Sequence, residues 1–475
     1  MRILFITPLL TRFGARWMPI GICSMAAVLD AQGHETMLFD RAAVYDLLGK
    51  DRLRTRDAMK RAILRFSPDM IAMSTVSPAI FDTVDCVQFI RTFYNKTVIA
   101  GGHHVTALPE MTLRRIPGVD LAVSGEGELV LASLAKGDDP FSIPGISGRK
   151  RDGIVSLPPQ KIAVLDALPF PKMDILNLTY YLEKNPVTIR GFNLSVATVL
   201  TSRGCPHRCA FCTESLTYGP GVRFHSPEYV LACLREITGR YAVNGLYFLD
   251  NDFLANRDRA EAICALMMDN GFQKRLKWAI QTRADRIDGP ILSVLKKAGC
   301  VKIELGIESG HQHHLDQVNK NEDSAAGERS LRLCRKNGVR SHAYMLMGLE
   351  NETIEGLNRQ LAWLKQLKPD TSTWSLLHMY PGTLLYRRKG DRFFETQSWS
   401  ETAVNAYYSR SHLSGIPDEE RRRWVETRLN PWLRQISVLS HLRNNPVSFW
   451  FEALARDPLL KLRGVLNHIR TRLYR

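Results

Sequence analysis

Over the first 140 residues, short apolar runs alternate with amphipathic stretches of helical length. The runs at 2–7, 34–39, 69–74, 97–100 and 120–124 read as strands, each followed by a helix-compatible segment. Five such βα units predict an α/β fold with a doubly wound parallel sheet. Folds of this kind bind ligands outside the carboxyl ends of the strands, which places 8–19, 75–78, 101–109 and 125–128 on one rim. Pro and Gly then punctuate 140–171, and residues 141–193 read as an irregular linker. From about Leu194 the alternation restarts, with strands expected at 195–201, 245–249, 277–282, 301–306, 341–347 and 371–377. Helices lie between them, at 227–240 and 352–366 among others. Six successive βα units predict a partial (β/α)6 barrel over 194–390, with its chemistry at the carboxyl ends of the strands. After Pro381 the rhythm stops, and 391–475 reads as a basic, helical carboxyl-terminal region.

Composition sharpens this picture without changing it. Hydrophobic residues make up 45% and charged residues 24% of the 475, and no apolar stretch approaches the roughly 18 residues of a membrane span. The amino terminus shows no basic region, apolar stretch and cleavage site in succession, so a cytoplasmic protein is expected. The net charge of +16 is unevenly spread, because 421–475 holds 12 Lys and Arg against 3 Asp and Glu. A basic balance of this kind is compatible with nucleic acid, anionic lipid, an acidic protein or an acidic substrate, and does not choose among them. Nine cysteines, an odd number, argue against a disulfide framework. Six are scattered singly; three are not.

Those three follow the first barrel strand in Ser202-Arg203-Gly204-Cys205-Pro206-His207-Arg208-Cys209-Ala210-Phe211-Cys212. Thiols spaced C-x3-C-x2-C in one loop can face a single cluster, whereas structural zinc sites use four ligands, usually in paired C-x2-C units. No fourth ligand-spaced cysteine follows. A cubane held by three thiolates keeps one iron without a protein ligand, open to a substrate or cofactor.

This spacing at this place in a βα barrel resembles the radical S-adenosylmethionine (SAM) enzymes. The resemblance implies a [4Fe–4S] cluster on Cys205, Cys209 and Cys212, whose open iron chelates SAM and whose electron cleaves it to a 5′-deoxyadenosyl radical. Later strand ends fit the same family: Asp250 and Asp252 where it grips the SAM ammonium, Gln281-Thr282-Arg283, Glu308 near the SAM ribose, and Gly348 in Met347-Gly348-Leu349-Glu350. Phe211 and Arg283 join the implied cofactor site. Each acid also has a plain structural use, since carboxylates are common at strand ends and helix starts.

The amino-terminal domain, 1–140, is similar to the cobalamin-binding domain of one radical SAM subgroup, through Pro19-Ile20-Gly21-Ile22, Gly33-His34-Glu35, the run from Gly101 to Glu110 and Gly125-Glu126-Gly127-Glu128. The resemblance implies cobalamin on a rim that includes Gly101, Gly102, His103, Gly125 and Glu126. There is no D-x-H-x-x-G, so cobalt is expected without an imidazole from that motif. His103 and His104, adjacent in a loop, are expected to point apart and to line or pack rather than share a metal.

The implied activity is functionalisation of an unactivated carbon, by methyl transfer as in the cobalamin-dependent methyltransferases or by ring formation as in anaerobic magnesium-protoporphyrin monomethyl ester cyclase. The implied substrate is a small or lipid-like molecule, with flavodoxin or ferredoxin as electron donor. Peripheral membrane contact through the basic tail competes with plain packing of Trp424, Trp432 and Leu433 on the protein's own core. A tRNA methylthiotransferase is the second enzyme reading, but 1–150 contains only Cys23 and Cys86 where that family carries three more cluster cysteines, and a nucleic-acid partner is disfavoured. A non-catalytic cobalamin or redox sensor is the third.

Overall fold

The computed structural model describes residues 1–9, 17–389 and 413–445. Its first sheet contains β1 (Arg2–Ile6), β2 (Glu35–Phe39), β3 (Met70–Ser74), β4 (Thr97–Gly101), β5 (Leu121–Val123), β6 (Ile146–Lys150) and β7 (Gly153–Ser156), in the order β2-β1-β3-β4-β5-β6-β7. The first five strands are parallel. Successive side chains on a strand face opposite ways, and the two faces are covered by different helices. Leu4, Ile6, Ile71, Met73, Val98 and Ala100 join one core, while Ile3, Phe5, Met70, Ala72 and Ile99 join another. Burial on both faces explains why these strands are continuous apolar runs.

Part of the expected linker is not irregular. β6 and β7 form an antiparallel hairpin that extends the sheet from β5, and Ile146 is buried beside Leu121 and Val123. Ile-Ser-Gly-Arg-Lys and Gly-Ile-Val-Ser are too short and polar to announce strands on their own. The open edge of β5 supplies the hydrogen-bonding partner that makes them so.

The second sheet runs β15-β14-β13-β12-β11-β8 and is parallel throughout: β8 (Val196–Val199), β11 (Gly245–Phe248), β12 (Lys277–Arg283), β13 (Cys300–Glu308), β14 (Arg340–Met347) and β15 (Thr371–Leu376). Ala197, Val199, Leu246, Phe248, Ile280, Ile303, Leu305, Ala343 and Met345 pack into the core shared with the surrounding helices. The opposite parity, with Thr198, Tyr247, Gln281, Glu304, Gly306, Glu308 and Tyr344, therefore faces the inside of the partial barrel and is largely polar. Between β8 and β11 lies a two-stranded antiparallel hairpin, β9 (Ser202–Cys205) with β10 (Gly221–Phe224). The helix Pro227–Arg240 starts where Ser226 caps it, accepting the Tyr229 N–H at 3.1 Å.

The carboxyl-terminal region packs on the barrel as helix Asp418–Trp424, a π-helical turn Val425–Leu429 and helix Asn430–Asn444. Trp424 and Trp432 are buried in the barrel core; Trp424 lies 5.9 Å from Trp374, and its ring N–H donates to Asn358 Oδ1 at 2.9 Å. That is the packing alternative for these two aromatics. The basic, aromatic stretch 446–475 lies outside the described residues.

Candidate functional site

Cys205 ends β9, and Cys209 and Cys212 follow in the loop that leads to the helix Glu214–Tyr218. All three are free and partly exposed, whereas the other six cysteines are buried. Gly204 has φ 92°, and a Cβ there would stand 2.4 Å from the Gly221 carbonyl oxygen of β10, so the Gly before Cys205 is required for the hairpin to close. The loop is held from the barrel side: the Ala210 N–H donates to Val318 O at 2.7 Å, and the Asn319 side-chain amide donates to Arg208 O at 2.8 Å. Burial raises all three thiols, Cys212 to about 12, so bare thiolates are disfavoured. At Cys209 the cations Lys320 and Arg283 oppose that rise without overcoming it. Among the described residues no three His, Cys, Asp or Glu side chains converge as a single-ion site. Three soft sulfur donors on one loop next to cations fit an iron–sulfur cluster, whose iron supplies the positive charge that buried thiolates need.

The acids from the strand ends divide into two kinds. Asp250 is fully buried; it accepts the Thr201 N–H at 3.2 Å, the Thr201 hydroxyl at 2.8 Å and the Ser202 hydroxyl. It straps the start of β9 to the end of β11. Asp252 accepts the Thr282 hydroxyl on Oδ1 at 2.6 Å, while its buried Oδ2 has no hydrogen-bond partner among the described residues and faces His207 at 3.8 Å and Arg286 at 3.6 Å. A buried carboxylate oxygen left open near Cys205 suits an ammonium donor, and Asp252 therefore fits the SAM amino group.

Glu308 stands at φ 64°, in the left-handed region, where β13 shifts register against β14. Its Oε1 lies 3.2 Å from Lys320 Nζ, and Lys320, 4% exposed, also faces Glu322 at 3.8 Å. A Cβ on Gly306 would come within 2.9 Å of that ammonium. Arg283 donates to the Lys320 and Asn321 carbonyls at 2.8 and 3.1 Å and pairs with Asp285 at 2.8 Å. It thereby shapes the 318–322 loop against the cysteine loop. Gly348 is tied on both sides, its N–H to Glu352 at 2.7 Å and its carbonyl to the Leu413 and Ser414 N–H groups. Phe211 packs with an apolar group that includes Leu346, Leu377 and Met379.

On the sheet side, Gly101, Gly102, His103, Gly125 and Glu126 all line one cavity of about 1060 Å³. Thr198, Leu200, Arg203, Tyr218 and Tyr229 close it from the barrel. This is the top of the roughly 300–1,000 Å³ range of sites for drug-sized ligands, as a large cofactor requires. Gly102, at φ 101°, brings its Cα so close that a Cβ would lie 2.6 Å from the Thr75 carbonyl oxygen. His103 and His104 do diverge: His103 Nδ1 meets the Thr217 hydroxyl at 2.8 Å, and buried His104 Nδ1 meets Ser77 at 3.0 Å, with burial lowering its pKa to about 4. Glu126 lines the cavity but is committed elsewhere, to Arg203 at 2.6 Å, Arg223 at 2.7 Å and the Ile162 N–H at 3.0 Å. Glu126 thus lines the cavity and also ties the first domain to the hairpin.

Lys320, Glu322, Arg203 and Arg223 were not singled out from the sequence. Arg203 carried a signal, as the only charged residue between the strand and the first cysteine; Lys320, in the polar run Val-Asn-Lys-Asn-Glu, carried none.

A free three-thiol loop at the carboxyl end of a partial parallel barrel, joined across a large cavity to a doubly wound sheet, defines a cluster enzyme with a second cofactor domain. Residues 199–364 match the Radical SAM superfamily, and residues 6–135 match the B12 binding domain. The chain is a radical SAM enzyme with a B12-binding domain ahead of its barrel, and its relatives include cobalamin-dependent radical SAM methyltransferases and cyclases. It is 26% identical over 433 residues to an uncharacterized methyltransferase, PH0819, of Pyrococcus horikoshii, covering 89% of this chain and 90% of that one. It is 27% identical over 408 residues to the anaerobic magnesium-protoporphyrin IX monomethyl ester cyclase of Rubrivivax gelatinosus, covering 82% of this chain and 70% of that one. In fold it is similar to the radical SAM methyltransferase TsrM of Kitasatospora setae, solved with cobalamin and a [4Fe–4S] cluster, at TM-score 0.67 and 18% identity over 89% of this chain and 81% of that one. Among the described residues no helix is long and apolar enough to cross a membrane.

Proposed function

We propose that the chain binds a [4Fe–4S] cluster on Cys205, Cys209 and Cys212 and SAM beside it, with cobalamin in the cavity between sheet and barrel, and that it methylates or cyclises a small substrate at an unactivated carbon. The observation that carries this reading is the adjacency of two sites: a loop of three free thiols flanked by an open carboxylate at Asp252, and a cavity whose glycine rim belongs to the other domain. The cluster and SAM together supply a carbon radical, and cobalamin supplies methyl or one-electron chemistry. The chain's own residues bind and orient. Asp252 accepts the ammonium of SAM; Glu308, held by Lys320, is placed for a ribose hydroxyl; the 318–322 loop fixes the cysteine loop. An acidic electron donor of the flavodoxin or ferredoxin kind and a lipid-like substrate are part of this proposal, while burial of Trp424 and Trp432 favours packing on the barrel over membrane contact for those two side chains.

Anaerobic reconstitution tests the reading. The wild type is expected to hold about four irons per chain, to bind hydroxocobalamin stoichiometrically and to release 5′-deoxyadenosine from SAM under reduction. Changing all three cysteines to Ala is expected to remove the iron and the cleavage together. Cleavage that survives the triple change refutes it.

A further inference from the structure

The hairpin that presents Cys205 contains an electrostatic conflict. Arg203 of β9 and Arg223 of β10 are directly opposite one another in its register, and like charges in that position destabilise a strand pair. Neither lies in water: Arg203 is 6% exposed, and Arg223 is mostly covered. The carboxylates that resolve the conflict come from the other domain. Glu126 takes Arg203 on Oε1 at 2.6 Å and Arg223 on Oε2 at 2.7 Å, and Glu128 takes the second Arg203 nitrogen at 2.6 Å. Ser24, also of the first domain, accepts from the same nitrogen at 3.3 Å. Two cations and two anions from two domains thus make one buried, neutral unit. The carboxylates sit in Gly125-Glu126-Gly127-Glu128, whose glycines line the cavity rim, and Arg203 is two residues from the first cluster cysteine.

We propose that Arg203, with Glu126 and Glu128, is a positioning latch that sets the Cys205 hairpin against the cavity rim and so fixes the separation and angle between the two cofactors. The proposal rests on the cofactor reading above for its purpose, but its physical content belongs to the protein alone. Buried ion pairs add little net stability compared with apolar packing, yet they fix geometry, because a misaligned charge in the interior is strongly penalised. The two terminal nitrogens of the planar Arg203 guanidinium each take one carboxylate, a fixed two-point geometry that the single ammonium of a lysine does not reproduce.

The first test needs no cofactor. Amide hydrogen exchange on the full-length apoprotein is compared for wild type, Arg203→Lys, the double variant Glu126→Gln with Glu128→Gln, and the charge-neutral pair Arg203→Met with Glu128→Gln, which keeps a folded reference if single changes fail. The latch predicts protection in β9 and β10 at least tenfold lower in the variants, with β3 and β4 changed less than twofold. Unchanged protection of the hairpin in a folded variant overturns the proposal. The second test uses the reconstituted protein, with Co(II) cobalamin and the reduced cluster as two electron spins. Arg203→Lys is expected to keep iron content and cobalamin stoichiometry while altering the spin–spin splitting between them. A splitting identical to wild type overturns the positioning role even if exchange has changed. A wild type that binds no cobalamin would instead refute the cofactor reading and leave the exchange result to decide the latch.

Discussion

Glu352 offers a quantitative check on the barrel's electrostatics. It is 5% exposed, accepts the Gly348 N–H on one oxygen at 2.7 Å, and its other oxygen is buried without a hydrogen-bond partner among the described residues. Burial raises its pKa from 4.5 to about 7, while the Gly348 N–H and the Arg421 guanidinium work in the opposite direction. The sign follows from proton binding. Below the unfolded value both states are protonated, and no penalty exists. Between the two values the unfolded chain has lost its proton and the folded chain keeps it, so stability falls as pH rises; above the folded value the loss is complete, at roughly 3 kcal/mol. From pH 5 to pH 8 the same linkage gives about 2.5 kcal/mol, which for a barrel-sized unit is on the order of 5–10 °C in Tm. Glu352→Gln retains an acceptor for Gly348 and cannot ionise. Paired thermal melts of apoprotein at the two pH values should therefore show the wild type losing that much relative to the variant. A constant offset between them cancels in the comparison, as do histidines common to both proteins. A Tm difference that does not change from pH 5 to pH 8 would refute the argument that this carboxyl is raised by burial.

Two further outcomes are expected. Lys320→Met takes from Glu308 its buried ammonium and leaves Glu322 with Arg283 at 3.5 Å, and breaking a buried pair in this way costs about 3–5 kcal/mol; urea unfolding that changes by less than about 1 kcal/mol would show that the lysine does not compensate Glu308. Gly102→Ala drives a methyl to 2.6 Å from the Thr75 backbone oxygen at a φ that disfavours side chains, so cobalamin affinity by optical titration should fall at least tenfold in a chain whose circular dichroism is unchanged; undiminished affinity would mean that the rim gives way freely.

The sequence by itself determined what is local. Strands buried on both faces must be short apolar runs, and all eleven expected strands, from 2–7 to 371–377, overlap strands of the structure. The three-thiol spacing, the glycines of the rim and the Ser226 cap are likewise written within a few residues of where they act. Tertiary structure alone decided what depends on partners far along the chain. The hairpin at 146–156 exists because the edge of β5 is there to receive it. Asp250 and Asp252, two residues apart and alike in the sequence, part company because Thr201 and Ser202 saturate the first, while an oxygen of the second is left open. Glu126 reads as a rim residue until Arg203, 77 residues on, and Arg223, 97 residues on, claim both its oxygens. Periodicity records which face a residue occupies, since that is a property of the backbone repeat. It carries no record of which distant charge will be buried against it, because that pairing comes into being only when two independently patterned domains close on each other.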